Sequence, residues 1–343
     1  MKFFVELSRE APELAQSEAA AAVAAEGGRW LGLPSPESRF AEVDLATPAA
    51  AERLAVRLAL ARRIVVPIGR FSADGGIDPG GFGTPSRASF RPLGHPSSGA
   101  FDALVARAAK AYRELGGRVD LDDPVERLWV GSISGPPAIY REVAAIDRSS
   151  YERRRMSRLP FQRPVALPPR LARVAANLAR VGRGRRVLDP FVGTGALVAE
   201  SALLGATVVG IDQSPTMIRG ALRNLAYLGV SAERLVVADA ASADPDAVPG
   251  DFDAIVTDPP YGRASTTLGE PPTALIARVL NAWRPRLRPD ARVVLIVPDS
   301  APPLGPSWRL ELGVKVRAHR SLTREFRVYR ALDPGSPPAI PGS

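Results

Sequence analysis

From Gly184 onward, short apolar runs alternate with amphipathic helical stretches, and each of the first four runs leads directly into a carboxylate. This alternation is the signature of βα units on a parallel sheet, and it predicts an α/β fold with the acids gathered at the carboxyl ends of the strands. Strands are expected at Arg186–Leu188, Thr207–Ile211, Leu235–Ala238, Ala254–Thr257 and Val293–Val297, with later ones near Trp308–Leu312 and Glu325–Arg330. Helices are expected at Ala196–Leu204, Pro215–Tyr227 and Thr273–Arg286. The first 150 residues read as small α+β units instead: strands at Phe3–Leu7 and Ile64–Pro67, helices at Glu13–Glu26 and Pro48–Ala61, a glycine-rich boundary at Gly75–Gly83, a helix at Phe101–Leu115, and strands near Arg118–Leu121 and Arg127–Val130. The expected organisation is therefore 1–72 and 73–150 as two α+β domains, 151–185 as a basic connector, 186–332 as the α/β domain, and 333–343 as a disordered tail.

Composition excludes several chemistries. The chain has no cysteine and two histidines, His95 and His319, so disulfides, thiolate zinc sites and cysteine nucleophiles are ruled out and no metal site is expected. Glu6 and Arg9 interrupt the apolar start MKFFVELSRE before a signal-peptide core can form. The most apolar stretches, Ala19–Ala25 and Val293–Val297, are far shorter than the roughly 20 residues that span a bilayer. A cytoplasmic, non-membrane protein is expected.

The net charge of +9 is not spread evenly. Residues 1–150 carry 18 basic and 19 acidic side chains and residues 187–343 carry 16 of each, whereas Tyr151–Arg186 holds eleven arginines against Glu152 alone. A cluster of guanidiniums suits a polyphosphate ligand through charge and bidentate hydrogen bonds, which points to nucleic acid. The candidate RNA-binding residues are Arg153, Arg154, Arg155, Arg158, Arg163, Arg170 and Arg173.

The chemistry sits at the strand ends. Val187-Leu188-Asp189-Pro190-Phe191-Val192-Gly193-Thr194-Gly195 carries a strand into an acid and a Gly-x-Gly turn at a helix start, where backbone N–H groups and the helix dipole face a ligand. Asp212 and Asp239 close the next two strands; an acid at the second strand tip is placed to accept from ribose hydroxyls. Thr257-Asp258-Pro259-Pro260-Tyr261-Gly262 then leaves the fourth strand as a stiff loop, because two prolines neither continue a helix nor donate to a sheet.

In this order the motifs resemble the class I S-adenosylmethionine-dependent methyltransferases that act on amino groups, with a Rossmann-like sheet. The resemblance implies that Asp189, Phe191, Gly193, Thr194 and Gly195 surround the methionine part of S-adenosylmethionine, that Asp212 holds the ribose, and that Asp239 and Ala240 lie by the adenine. It also implies that Asp258, Pro259, Pro260 and Tyr261 form the catalytic loop. Pro160–Arg173, the run Asp258–Thr267 and His319-Arg320-Ser321-Leu322-Thr323-Arg324 are similar to the archaeal and eukaryotic tRNA guanosine-10 N2-methyltransferases. Gln162, Arg163, Val165, Ala166 and Val192 depart from that family's usual residues. The family implies an N-terminal ferredoxin-like domain followed by a THUMP RNA-binding domain, tRNA as substrate and, in some relatives, a small activating subunit. N2-guanine or N6-adenine methylation of rRNA or DNA, or an inactive RNA-binding protein, are the alternatives.

Overall fold

Two sheets account for the paired strands among the described residues, which in this computed structural model are 1–72, 76–78, 81–84, 86–93, 99–164, 166–243, 247–260, 270–319 and 322–332. The chain divides into one unit of residues 1–10, 26–56 and 61–146 and a second of residues 11–25, 57–60 and 147–343. Helix α1 (Pro12–Ala25) thus belongs with the C-terminal half, although it lies between strands of the first unit.

In the first unit, β1 (Lys2–Leu7), β2 (Arg29–Gly32), β3 (Phe40–Asp44), β4 (Ala61–Arg70), β5 (Arg87–Pro92), β6 (Arg118–Val119), β7 (Glu126–Gly131) and β8 (Ala138–Ala145) form one sheet in the order β2-β3-β1-β4-β8-β7-β5-β6. Helices α2 (Pro48–Arg57) and α3 (Gly99–Glu114) fall between these strands along the chain. Because β4 pairs with β1 on one edge and β8 on the other, the sheet runs through both the 1–72 and 73–150 segments. Phe82, Phe90 and Tyr112 meet edge to face in the core beside α3. The strand expected over Arg118–Leu121 stops after Val119, because the Asp120 carboxylate accepts the N–H groups of Asp122 and Asp123 and turns the chain.

In the second unit, the stretch expected as a connector is folded. It contains α4 (Arg148–Arg153), a 3-10 turn at Met156–Arg158 and α5 (Pro169–Leu178), which starts with proline in its first turn and buries Ala172–Leu178. Helix α1 packs against α5. At that junction the fully buried Glu18 accepts from the N–H groups of Ala59 (2.8 Å) and Leu60 (2.7 Å) and from Asn177 Nδ2 (2.8 Å). Burial pushes its carboxyl above the usual range against those hydrogen bonds.

The sheet of this unit comprises β9 (Arg186–Asp189), β10 (Thr207–Asp212), β11 (Arg234–Val237), β12 (Phe252–Thr257), β13 (Leu287–Pro298), β14 (Trp308–His319) and β15 (Leu322–Ala331) in the order β11-β10-β9-β12-β13-β15-β14. Strands β9 to β13 pair in parallel, and β15 and β14 are antiparallel additions at one edge. Helices α6 (Ala196–Leu203), α7 (Pro215–Tyr227) and α8 (Pro272–Trp283) pack on the faces. Alternate residues of β10 serve opposite cores: Val208 meets Val198, Ile218 and Leu225, while Val209 and Ile211 join Leu188, Ile255 and Trp283. Gly210 is required on the crowded face, since a Cβ there would lie 2.4 Å from Val192 and 2.7 Å from Leu235. The α/β expectation is met strand for strand. No described helix is long and apolar enough to cross a membrane, and the tail at 333–343 lies outside the described residues.

Glu18→Ala would leave two buried backbone N–H groups and Asn177 without an acceptor. It should lower stability by about 3 kcal/mol in urea unfolding, whereas Glu13→Ala on the exposed side of α1 should change it by less than about 0.5 kcal/mol.

Candidate active site

The strand order reverses between β9 and β12, and the crevice outside the carboxyl ends of a parallel sheet opens at such a reversal. Asp189 and Asp212 end β9 and β10, Asp239 lies two residues beyond β11, and Asp258 immediately follows β12. The four acids singled out from sequence therefore share one edge.

Asp189 is 1% exposed. Its Oδ1 accepts from Thr257 Oγ1 (2.8 Å) and the Phe191 N–H (3.2 Å), while its buried Oδ2 has no hydrogen-bond partner among the described residues. Burial pushes this carboxyl up to about 7; the two hydrogen bonds oppose the rise and the nearby Asp212 and Asp258 add to it. Thr257 ties the end of β12 to the end of β9, a role that sequence reading missed although the residue stands at the head of the proline loop.

The turn after β9 is shaped by its glycines. Gly193 (φ 53°) and Gly195 (φ 84°) both adopt left-handed conformations that favour glycine. A Cβ on Gly193 would meet nothing closer than the Phe191 carbonyl at 4.0 Å, so that side of the turn faces open space. Asp212 accepts from the N–H groups of Gly193 (2.8 Å) and Ser214 (2.9 Å), fixing the turn against β10, and burial raises its carboxyl too. Thr194 is buried, and its carbonyl accepts from Asn224 Nδ2 (3.0 Å). Asn224, on α7, also accepts from the Phe161 N–H and donates to the Phe161 carbonyl, both at 2.9 Å. It thereby fastens the Pro160–Phe161 segment to the glycine turn. Nothing within α7 itself marks Asn224 for this clamp, because its partners lie 30 and 63 residues away.

Farther along the edge, Asp239 accepts from the Ala241 N–H (3.0 Å) and from Arg278 Nη1 (2.9 Å). Ala240 is buried, and its carbonyl accepts from Trp283 Nε1 (2.7 Å). Phe191 is half-buried against the core. Beyond β12, Asp258 is partly exposed, Pro259 buried and Pro260 partly exposed. Arg324 Nη1 lies 3.7 Å from Asp258 Oδ2. Tyr261, the run Ala264–Thr267, and Arg320 and Ser321 lie outside the described residues.

The seven candidate arginines divide into two sets. Arg153, Arg155, Arg158 and Arg163 are exposed. Arg154 and Arg173 instead close on Glu200 of α6, at 2.7 and 2.8 Å, where the carboxylate is 2% exposed. Arg170 Nη2 donates to the Ala59 carbonyl (3.3 Å). Composition alone did not separate these sets, because the pairing acid lies 27 and 46 residues away.

Residues 155–303 match the family model described as UPF0020, an RMKL-like methyltransferase domain. The tRNA (guanine(10)-N2)-dimethyltransferase of Methanothermobacter thermautotrophicus is 30% identical over 339 residues, covering 96% of this chain and 99% of that protein. The enzyme of the same name from Pyrococcus abyssi is 37% identical over 212 residues, covering 60% of this chain and 59% of that protein. Among solved structures, a possible methylase from Clostridium difficile 630 matches with a TM-score of 0.51 and 16% identity over 98% of this chain and 99% of that one, a likeness of fold.

Folding raises the Asp189 carboxyl above its unfolded value of 3.8, so the stability it contributes is complete below that value and is lost as pH rises through about 7. Asp189→Asn removes the titration. Measured by thermal unfolding without added cofactor, the native chain should lose ground to the variant as pH is raised from about 4 to about 7; a constant difference between the two would contradict the assignment.

Proposed function

The chain belongs to the tRNA (guanine(10)-N2)-dimethyltransferase family, and from that premise we propose that it transfers methyl groups from S-adenosylmethionine to the 2-amino group of a guanosine in tRNA, at position 10. The observation that carries the reading is the shared edge: a glycine turn and three acids suited to the cofactor, with the Asp258-Pro259-Pro260 loop on the adjoining strand.

The residues fit the cofactor. The buried Oδ2 of Asp189, unpartnered among the described residues, suits a cationic donor such as the methionine ammonium, and the open side of Gly193 lets a ligand approach the backbone. Asp189, Phe191, Gly193, Thr194 and Gly195 would hold the methionine part, Asp212 the ribose, and Asp239 with Ala240 the adenine. When bound, the cofactor supplies an electrophilic methyl group on sulfur. The protein's part is to place the amine. The Asp258 carboxylate and the Pro259 carbonyl accept hydrogen bonds from the guanine 2-amino group, which draws its lone pair out of conjugation with the ring and toward the methyl carbon. The amine nitrogen would bond to the methyl carbon as the carbon–sulfur bond breaks and would then shed one proton, for which Asp258 would be the acceptor. Positioning and electrostatics carry the rate.

The exposed arginines of the 151–185 stretch support tRNA phosphate binding, and the β5–α3–β7 segment of the first unit, with its parallel strands, supports a THUMP-like role for residues 73–150. On this reading the reaction is cytoplasmic.

Incubation with labelled S-adenosylmethionine and unmodified tRNA transcript, followed by nucleoside mass spectrometry and fragment mapping, should yield N2-methyl- and N2,N2-dimethylguanosine at position 10. Label appearing only in rRNA or DNA would overturn the substrate. Asp258→Ala should lower kcat by about 10²–10³-fold with cofactor and tRNA affinity retained. Replacing Arg153, Arg155, Arg158 and Arg163 together by Ala should weaken tRNA binding and flatten its salt dependence by roughly 0.7–0.9 in slope for each phosphate no longer neutralised. Arg154→Ala should instead lower the unfolding midpoint, since it leaves the buried Glu200 with Arg173 as its one remaining cation among those two.

A further inference from the structure

Two arginines of β15, three residues apart, are both more than nine-tenths buried, yet they are used in opposite ways. Arg327 is engaged on both terminal nitrogens: it donates to the carbonyls of Ala301 and Pro302 and to the Glu325 carboxylate, as an arginine that braces a fold does. Arg324 has its Nε and Nη1 buried without a hydrogen-bond partner among the described residues. A buried donor left unsatisfied costs stability, so this placement is poor fold chemistry.

The register explains where Arg324 sits. It stands opposite Pro298 at the carboxyl end of β13, and β13 borders β12, whose last residue precedes Asp258. The guanidinium therefore reaches the catalytic edge from the antiparallel side of the sheet, 3.7 Å from Asp258 Oδ2, which is ion-pair range but longer than a hydrogen bond. Asp258 also acts as a nearby like charge on the buried Asp189 at the end of β9, as Asp212 does. Neighbouring carboxyls on a partly desolvated edge resist ionising together, and a cation beside one of them favours its anionic form. A protonated Asp258 would present a donor to the amine, which needs an acceptor.

We propose that Arg324 is a positioning residue for methyl transfer, holding Asp258 as an anion that accepts from the target amine. The proposal rests on the catalytic reading of Asp258 given above, and it assigns a task to the last residue of the His319–Arg324 motif.

The test is steady-state methylation of tRNA transcript by Arg324→Met and Arg324→Lys, with Asp258→Asn and the double variant Asp258→Asn/Arg324→Met alongside. Arg324→Met should lower kcat at least about tenfold while the tRNA KM and the calorimetric cofactor affinity stay within about threefold. Raising the pH should restore part of the loss, because Asp258 then ionises unaided, and Arg324→Lys should recover part of it at neutral pH. The double variant should be no slower than Asp258→Asn alone. Should Arg324→Met fail to fold, Arg324→Gln carries the same expectations. Asp258→Asn inactive with Arg324→Met at native kcat would overturn the proposal and leave the catalytic reading intact. A loss in Arg324→Met that neither pH nor lysine relieves would reduce Arg324 to a structural role and overturn it as well. Full activity of Asp258→Asn would instead sink the catalytic reading itself.

Discussion

The hydrogen bond from Thr257 to Asp189 is the interaction on which the site turns. It spans the two strands between which the sheet order reverses, joining the strand that leads into the glycine turn to the strand that leads into the proline loop. One oxygen of a fully buried carboxylate is thereby committed to the fold, and the other has no partner among the described residues. A carboxyl so placed is costly to ionise, which is why burial drives it up to about 7. Its environment makes sense as a ligand site and makes little sense as core packing.

Much of this was legible in the sequence, for a definite reason. Strands β9, β10, β12 and β13 are buried on both faces, so they appear as continuous apolar runs, and the acids that end them mark where the sheet stops. What stayed hidden depends on residues distant along the chain. Strand β8 reads AIYREVAA, with Arg141 and Glu142 in mid-strand, because β7 and β4 flank it and Glu142 meets Arg63 and Trp129 there. Nothing in its own eight residues announces that pairing. Helix α1 reads as an alanine-rich helix of the first unit, yet Glu18 ties it to Ala59, Leu60 and Asn177 of the second.

The arginine count shows the same limit from the side of charge. Eleven arginines against one acid within Tyr151–Arg186 is a true local excess, but charge neutrality is settled in space. Glu200 draws in Arg154 and Arg173, and Asp253 holds Arg185 together with Arg288 of β13. The part of the excess available to a phosphate backbone is the exposed set, in the loop and short helices that precede α5, where Arg153 and Arg155 hold only solvent-exposed pairs with Asp147 and Glu152. Asn224 joins that segment to the catalytic half by gripping both Phe161 and the Thr194 carbonyl, so the same stretch that presents guanidiniums is anchored to the turn suited to the cofactor. Gly220 permits the Phe161 ring to lie against α7, since a Cβ there would come within 2.1 Å of it.

Two groups of opposite sign on one edge, Asp189 Oδ2 and the Arg324 guanidinium, have hydrogen-bonding capacity that no described residue uses, in a protein that otherwise pairs most of its buried charges. Their demands are complementary to the two halves of the reaction. A buried acceptor beside the glycine turn suits a ligand that brings a cationic donor. A buried cation beside Asp258 suits a step in which a carboxylate must remain an anion while positive charge develops on a nearby nitrogen. On the proposed assignment, the cation next to Asp258 would hold that acid ready to accept from the amine, while Asp189, raised to about 7 by burial, keeps an oxygen open to a ligand donor.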